Sequence, residues 1–354
     1  MADIDGLVRS VYCPPRNPGV SWQLERLVGH DRIRYFSHGR HALAATLGIA
    51  GVGRGDHVLM PSFICRELLA AVHSVGAAAI FYQVDKNLGL ADDPRGLPTA
   101  GAILAVDYFG FPQSLAPFQD YCVRTGAVLI EDNAHGLFSR DEGGRALGTR
   151  APLGIFSQRK SLALPDGAAL VLNRPAEIQF PLPPQIGFRT GGNTFSFALK
   201  QALRKTVPVI GPEVLADLIA LRRLLRKMST GTEIPSSAPE SEVLLPGNGA
   251  PCRDLAKLMG NTEVQAEINR RRNLYLWLDP KLRSMGGEPI YSSLPEQVVP
   301  YCFPFFADAR QISRIRAELK RLHLGCFPWP DLPAAVRAQA PEWYSQVWNV
   351  QFLW

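Results

Sequence analysis

Between residues 40 and 175, short apolar runs alternate with stretches of helical periodicity. The runs are HVLMP (57–61), AAIFYQVD (78–85), AILAVDYFG (102–110), AVLIED (127–132), GIFSQ (154–158) and AALVLN (168–173). Strand-length runs separated by roughly 10 to 20 helix-compatible residues imply crossover connections, hence an α/β fold with a mostly parallel sheet covered by helices on both faces. In such sheets the loops at the carboxyl ends of the strands meet at the ligand crevice, which draws attention to the residues that follow each run.

After residue 175 the alternation breaks. SFALKQALRKTV (196–207) and EVLADLIALRRLLRKM (213–228) carry apolar positions at helical spacing with basic faces, and 229–251 is rich in Ser, Pro and Gly. Beyond it VQAEINRRRNLYLWL (264–278) predicts a helix, VVPYCFPFFA (298–307) a strand, and DARQISRIRAELKRLHL (308–324) a helix with Asp308 as its N-cap. The organisation expected is an N-terminal arm (1–24), a large α/β domain (25–228), a linker or mobile loop (229–251) and a small C-terminal α+β domain (252–354). The aromatic tail EWYSQVWNVQFLW (342–354) either covers a second subunit or folds back onto its own small domain.

Composition narrows this only a little. The chain has 354 residues, 46% of them hydrophobic, enough to bury a large core. A net charge of +6, from 38 basic and 32 acidic residues, falls short of a nucleic-acid-binding surface. The six cysteines are scattered without CxxC spacing, which argues against a zinc site or a disulfide scaffold and for a reducing cytoplasm. No run reaches the ~20 apolar residues of a spanning helix.

Three places carry candidate chemistry. Ser37 and Gly39 precede a helix starting near Arg40, where free N–H groups and a residue without a Cβ suit a phosphate. VLIEDNAHG ends a buried strand at Asp132, with His135 three residues on; the carboxylate could hold a pyridine nitrogen protonated and the imidazole could bond a ring hydroxyl. Lys160 follows Ser157 by three residues at another strand end. Each has an ordinary structural reading: a Ser-capped helix, Asp132 as a helix cap beside a satisfied histidine, and a salt-bridged lysine. Their order changes the picture, because a phosphate turn, a strand-end carboxylate and a lysine amine are together what pyridoxal phosphate requires.

The blocks GRHALAATLGIAGVGRGDHVLMPSFICRELLAAVHSVGAAAIFYQVD, AVDYFGFPQSLAPFQDYCVRTGAVLIEDNAHG and GIFSQRKSLALPDGAALVLN resemble the DegT/StrS-type aminotransferases, fold-type-I pyridoxal-phosphate enzymes that mostly aminate keto-sugar nucleotides. The resemblance runs over about 36–173 and returns more weakly over 290–335. It implies that Lys160 carries the cofactor, that Asp132 pairs with its ring nitrogen, that His135 lies near its phenolic oxygen, and that Gly39, Arg40 and Ser157 surround its phosphate. It also implies glutamate as amino donor, a nucleotide-linked keto-sugar as acceptor, and a homodimer.

This sequence departs from the family pattern at several positions. Arg40 replaces the usual threonine of the phosphate turn, and the Ser157-to-Lys160 interval is short. Cys65 stands where an aromatic ring usually stacks on the cofactor, with Phe63 the nearest replacement. In the divergent segment 187–197, Asn193 is the candidate phosphate or substrate contact. Two other functions stay open: a pyridoxal-phosphate dehydratase, epimerase or lyase, and a catalytically silent regulatory protein on the same fold. Lys160 argues against those family dehydratases that carry histidine in its place.

Overall fold

The computed structural model describes residues 4–17, 21–173, 180–189, 194–230 and 238–354. All six apolar runs form strands: β2 (His57–Pro61), β3 (Ala78–Tyr82), β4 (Ala102–Val106), β5 (Val128–Asn133), β6 (Leu153–Phe156) and β7 (Ala168–Leu172). Every residue of β4, β6 and β7 is buried, as expected of strands covered on both faces. A seventh strand, β1 (Ile33–Phe36), completes the sheet in the order β1-β7-β6-β5-β4-β2-β3. β2 to β6 run parallel, whereas β7 is antiparallel to both β6 and β1. The sequence reading passed over β1 because it has four residues and includes Arg34. That polar composition suits an edge, where the Arg34 guanidinium donates to Pro183 O and the Tyr35 N–H to Gln185 Oε1.

The two basic amphipathic stretches form one element, Thr194–Thr230, bent at Gly211, whose φ of 81° only glycine adopts easily. The helix Ala309–Arg321 starts as expected. The Asp308 carboxylate accepts from the Arg310 and Gln311 N–H groups, and Gln311 Oε1 accepts from the Asp308 N–H, closing a capping box.

Four short strands, β8 (Glu288–Pro289), β9 (Cys302–Phe306), β10 (Cys326–Pro328) and β11 (Val347–Gln351), make an antiparallel sheet in the order β10-β11-β9-β8. β11 belongs to the aromatic tail and is paired on both sides. The tail therefore folds back into its own sheet, with Phe352 buried.

The described part of the expected linker, 238–251, is tied to the large sheet. Ser37 N–H donates to Gly249 O at 2.8 Å, the His41 ring contacts Pro246 O at 3.0 Å, and Arg66 pairs with Glu242 at 2.7 Å. Among the described residues no helix is long and apolar enough to cross a membrane.

Candidate active site

β5 ends in two adjacent acids whose side chains must point to opposite faces of the sheet. Glu131 turns away from the crevice and accepts from the Arg150 Nε–H at 2.7 Å and the Arg150 N–H at 2.8 Å, while Arg150 Nη2 reaches Asp107 at 2.6 Å. This buried trio fixes β5 against the loop that follows β4. Asp132 turns toward the crevice and accepts the Ala134 N–H at 3.0 Å in a bend. No helix follows β5, so Asp132 is not a helix cap. Burial pushes its carboxyl up, opposed by the nearby charge of Lys160 and by the Ala134 hydrogen bond.

Lys160 lies in the single turn Gln158–Ser161 after β6, with Ser157 buried at its N-cap. It has no ion-pair partner among the described residues, contrary to the salt-bridged reading. Its Nζ lies 3.0 Å from His135 Nε2. On the other side of that ring, the Phe109 N–H donates to His135 Nδ1 at 3.1 Å. Burial, reinforced by the charge of Lys160, keeps the His135 pKa well below that of a free imidazole, so the ring is neutral. With Nδ1 accepting, a neutral ring carries its proton on Nε2, the nitrogen that faces Lys160 Nζ.

Two rings hold the imidazole flat: Tyr301 at 4.7 Å and 6° between planes, and Phe109 at 5.8 Å and 12°. Phe109 itself is in the left-handed region (φ 57°), and the next residue, Gly110, has φ 93°. A Cβ on Gly110 would lie 2.9 Å from Val299 O and 3.1 Å from His135 O. Gly110 thus permits the close approach that aims the Phe109 amide. His135→Gln is expected to keep activity within about tenfold, since an amide can accept from Phe109 and donate forward. His135→Leu is expected to lose about 100-fold, because it strands a buried N–H and removes the donor. Turnover with the cofactor absorbance band as a control separates the two variants.

The start of helix Gly39–Ile49 faces the same crevice. A Cβ on Gly39 would meet nothing within 4 Å, so the approach to the first N–H groups is open. Arg40 Nη1 pairs with Glu67 at 2.9 Å, leaving Arg40 Nε buried without a partner. Arg159 Nε and His38 Nδ1 are also buried and unpartnered. Burial lowers the His38 pKa to about 3, and the charges of Arg159, Arg40, His41 and Arg189 add to the shift, which places these groups close together. Unfilled donors gathered at a helix start form an anion site, and this one fits a phosphate ester.

Cys65 borders this crevice, its thiol pushed to about 11 by burial, with Lys160 and Asp132 near enough to influence it. Phe63 does not replace the stacking ring. It is fully buried, walled in by Tyr344 at 4.7 Å, Trp329 at 5.1 Å, Trp343 at 5.6 Å and Tyr108 at 6.0 Å, which leaves no face for a ligand. Asn193 lies outside the described residues.

Arg159, Tyr301, Trp329 and Arg271 escaped the sequence reading. Trp329 stands edge-on to His135 at 5.7 Å, and the only trace of it in sequence is the PWP triplet at 328–330. Arg271 sits inside the helix Val264–Ser284. It donates to Ser161 O at 2.6 Å and Tyr301 O at 2.9 Å, clamping the lysine turn to the tyrosine that covers His135. Its charge is balanced by Glu267, which also accepts from Arg270 Nε and Nη2.

Burial opposes ionisation of Glu267, but the two arginines prevail and hold its carboxyl below the usual value. A depressed folded pKa contributes stability above the unfolded pKa and loses it as pH falls through the folded one. Glu267→Gln is therefore expected to flatten the acid limb of a stability–pH curve and to cost about 3–5 kcal/mol at neutral pH, because it leaves two arginines unpaired. Urea denaturation between pH 3 and 7 measures both effects.

Residues 22–180 match the profile of the DegT/DnrJ/EryC1/StrS aminotransferase family. Over 146 residues the chain is 32% identical to a dTDP-4-dehydro-2,3,6-trideoxy-D-glucose 4-aminotransferase of Saccharopolyspora spinosa, a stretch covering 40% of this chain and 38% of that protein. It is 35% identical over 144 residues to the erythromycin biosynthesis sensory transduction protein EryC1 of Saccharopolyspora erythraea, 39% of each chain. The aligned stretches thus span less than two-fifths of these relatives. The crystal structure of the aminotransferase TlmJ from Streptoalloteichus hindustanus superposes over the whole of this chain and 91% of its own, with a TM-score of 0.61 at 20% identity, which establishes the shared fold. The segment 22–180 that is similar to the DegT/DnrJ/EryC1/StrS aminotransferase family contains Asp132, His135 and Lys160.

Proposed function

We propose that this protein is a pyridoxal-phosphate-dependent aminotransferase that moves an amino group from glutamate to the ketone of a nucleotide-linked keto-sugar, in amino-sugar biosynthesis. The observation that carries the reading is the meeting of Lys160 Nζ with His135, close to the Asp132 carboxylate, beside a helix start surrounded by unpartnered basic groups. When bound, the cofactor supplies an electron sink for the carbanion formed as a proton leaves the donor's α-carbon.

The chain's own residues take the remaining roles. The Gly39 and Arg40 N–H groups, the Ser157 hydroxyl and the Arg40 and Arg159 side chains would hold the phosphate. Asp132 would keep the ring nitrogen protonated, and the His135 Nε2–H would bond the phenolic oxygen. The Lys160 amine would bind the cofactor and then move the proton, acting as general base. Cys65 would offer the cofactor a thiol where an aromatic side chain is usual.

The acceptor follows from the relative that acts on a dTDP-linked 4-keto sugar. Glutamate follows from the family resemblance alone. Six unpaired thiols suit a reducing cytoplasm. The working unit is a homodimer, and the division at 1–24, 25–228, 229–251 and 252–354 is part of the same proposal.

The EryC1 relative, described as a sensory transduction protein, favours a second reading in which the fold binds cofactor without turnover. Incubation with glutamate and a panel of dTDP-4-keto sugars tests the choice. Amino transfer predicts one 2-oxoglutarate per amino sugar formed; a protein that binds cofactor yet yields neither product with any donor fits the silent reading.

A further inference from the structure

A groove of about 710 Å³ lies between the long helix Thr194–Thr230, the N-terminal helix Ile4–Tyr12, the helix Ala309–Arg321 and residues 351–354. None of the residues placed at the Lys160 crevice lines it. Sites that enclose a small molecule have volumes of about 300 to 1,000 Å³. The two long walls differ in character. On one stand Leu221 and Leu224, 52% and 54% exposed. On the other, Ser313, Arg316, Ala317 and Lys320 succeed one another at steps of three, one and three, which puts them on one face of their helix, and all four are exposed.

Arg223, Arg316 and Lys320 bring three permanent cations to the groove, and Asp217 is the one acid among its described lining residues. The Arg223 guanidinium lies 4.6 Å from the centre of the Phe327 ring. Gly325 makes room for that stack, since a Cβ there would meet the ring at 2.8 Å. Arg316 is close enough to Cys326 for its charge to oppose the burial that pushes this thiol to about 12. Lys320 makes no ion pair among the described residues; Glu318, the one acid of that helix, pairs with Arg321 at 2.5 Å. A cationic ligand would face three like charges, and an uncharged one would leave the basic wall without a partner. A ligand with an apolar body and an anionic head suits both walls. Leu324 and Cys326 are buried where they line the groove, so a single molecule can reach them and a flat bilayer surface cannot.

We propose that this groove binds a single-chain amphiphile, its apolar chain against Leu221, Leu224 and Trp354 and its carboxylate or phosphate head against Arg316 and Lys320. The site goes beyond amino transfer and does not depend on it.

Isothermal titration calorimetry of the full-length, cofactor-loaded protein tests this, with dodecanoate, dodecyl phosphate and dodecyltrimethylammonium as probes, each kept below its micelle concentration. One equivalent of either anion is expected to bind per chain, about tenfold or more tighter than the ammonium, and the tighter anion identifies the head group. Leu224→Asp should weaken dodecanoate binding by about 30-fold or more. Lys320→Glu should weaken it by about tenfold and tighten the ammonium. Both side chains are exposed and distant from the crevice residues, so circular dichroism and turnover of the variants should match the wild type. Absence of saturable anion binding, or equal affinity for the ammonium, overturns the proposal. Anion binding that neither variant weakens places the ligand elsewhere and overturns it too. A wild type that ignores all three probes but co-floats with phosphatidylglycerol vesicles, and loses this in Leu224→Asp, assigns the face to a membrane instead. A wild type that ignores them and whose sedimentation changes in Leu224→Asp assigns it to a second copy of the chain. Loss of turnover with dodecanoate binding intact bears on amino transfer alone.

Discussion

Lys160→Ala is expected to abolish covalent cofactor attachment and to lower amino transfer by about 10⁴-fold or more, because one amine would both bind the cofactor and carry the proton. Borohydride treatment of the wild type followed by peptide mapping should place the cofactor's mass on the peptide containing Lys160. The alanine variant should carry no such mass, and an adduct on a different lysine would refute the assignment. Nothing in the packing demands the charge of this lysine, since its nitrogen contacts His135 and no carboxylate among the described residues. The variant should therefore fold with a denaturation midpoint near the wild type's, which separates lost chemistry from lost structure.

Asp132→Asn should leave the cofactor bound through its phosphate and lower turnover by about 10²- to 10³-fold, because a neutral amide cannot hold the pyridine nitrogen protonated. The substitution keeps size and the acceptor for the Ala134 N–H. Its effect on stability should have the opposite sign. Burial raises the folded carboxyl pKa of Asp132, so the ionised side chain costs the empty protein stability as pH rises through that value. Asparagine carries no such cost, and the cofactor-free variant should be at least as stable as the wild type at pH 7. Near-normal turnover in the variant would reduce Asp132 to a structural turn residue.

The sheet was legible because strands inside a helix-covered sheet are continuous apolar runs, and β2 to β7 appear in sequence as such. β1 was not, because an edge strand can carry Arg34 and still satisfy its ladder. Asp132, His135 and Lys160 were legible through their order at strand ends. Lys160 meets His135 across 25 positions of sequence, and only the parallel pairing of β5 with β6 makes them neighbours. Arg271 was invisible for a different reason. A run of three arginines, 270–272, reads as a solvated helix face, and the carbonyls of Ser161 and Tyr301 that turn it inward lie far away in sequence. Phe63 misled because nearness in sequence to Cys65 says nothing about facing: Cys65 borders the crevice while Phe63 is walled in by four aromatic rings.

The most direct test of the central claim, amino transfer at the Lys160 crevice, is a half-reaction with the purified, cofactor-loaded protein and L-glutamate in the absence of any keto-sugar. The account predicts that the visible cofactor band bleaches and that about one 2-oxoglutarate is released per cofactor, as expected of a two-step transfer. A visible band that persists unchanged with glutamate, and with every other amino donor offered, would contradict it.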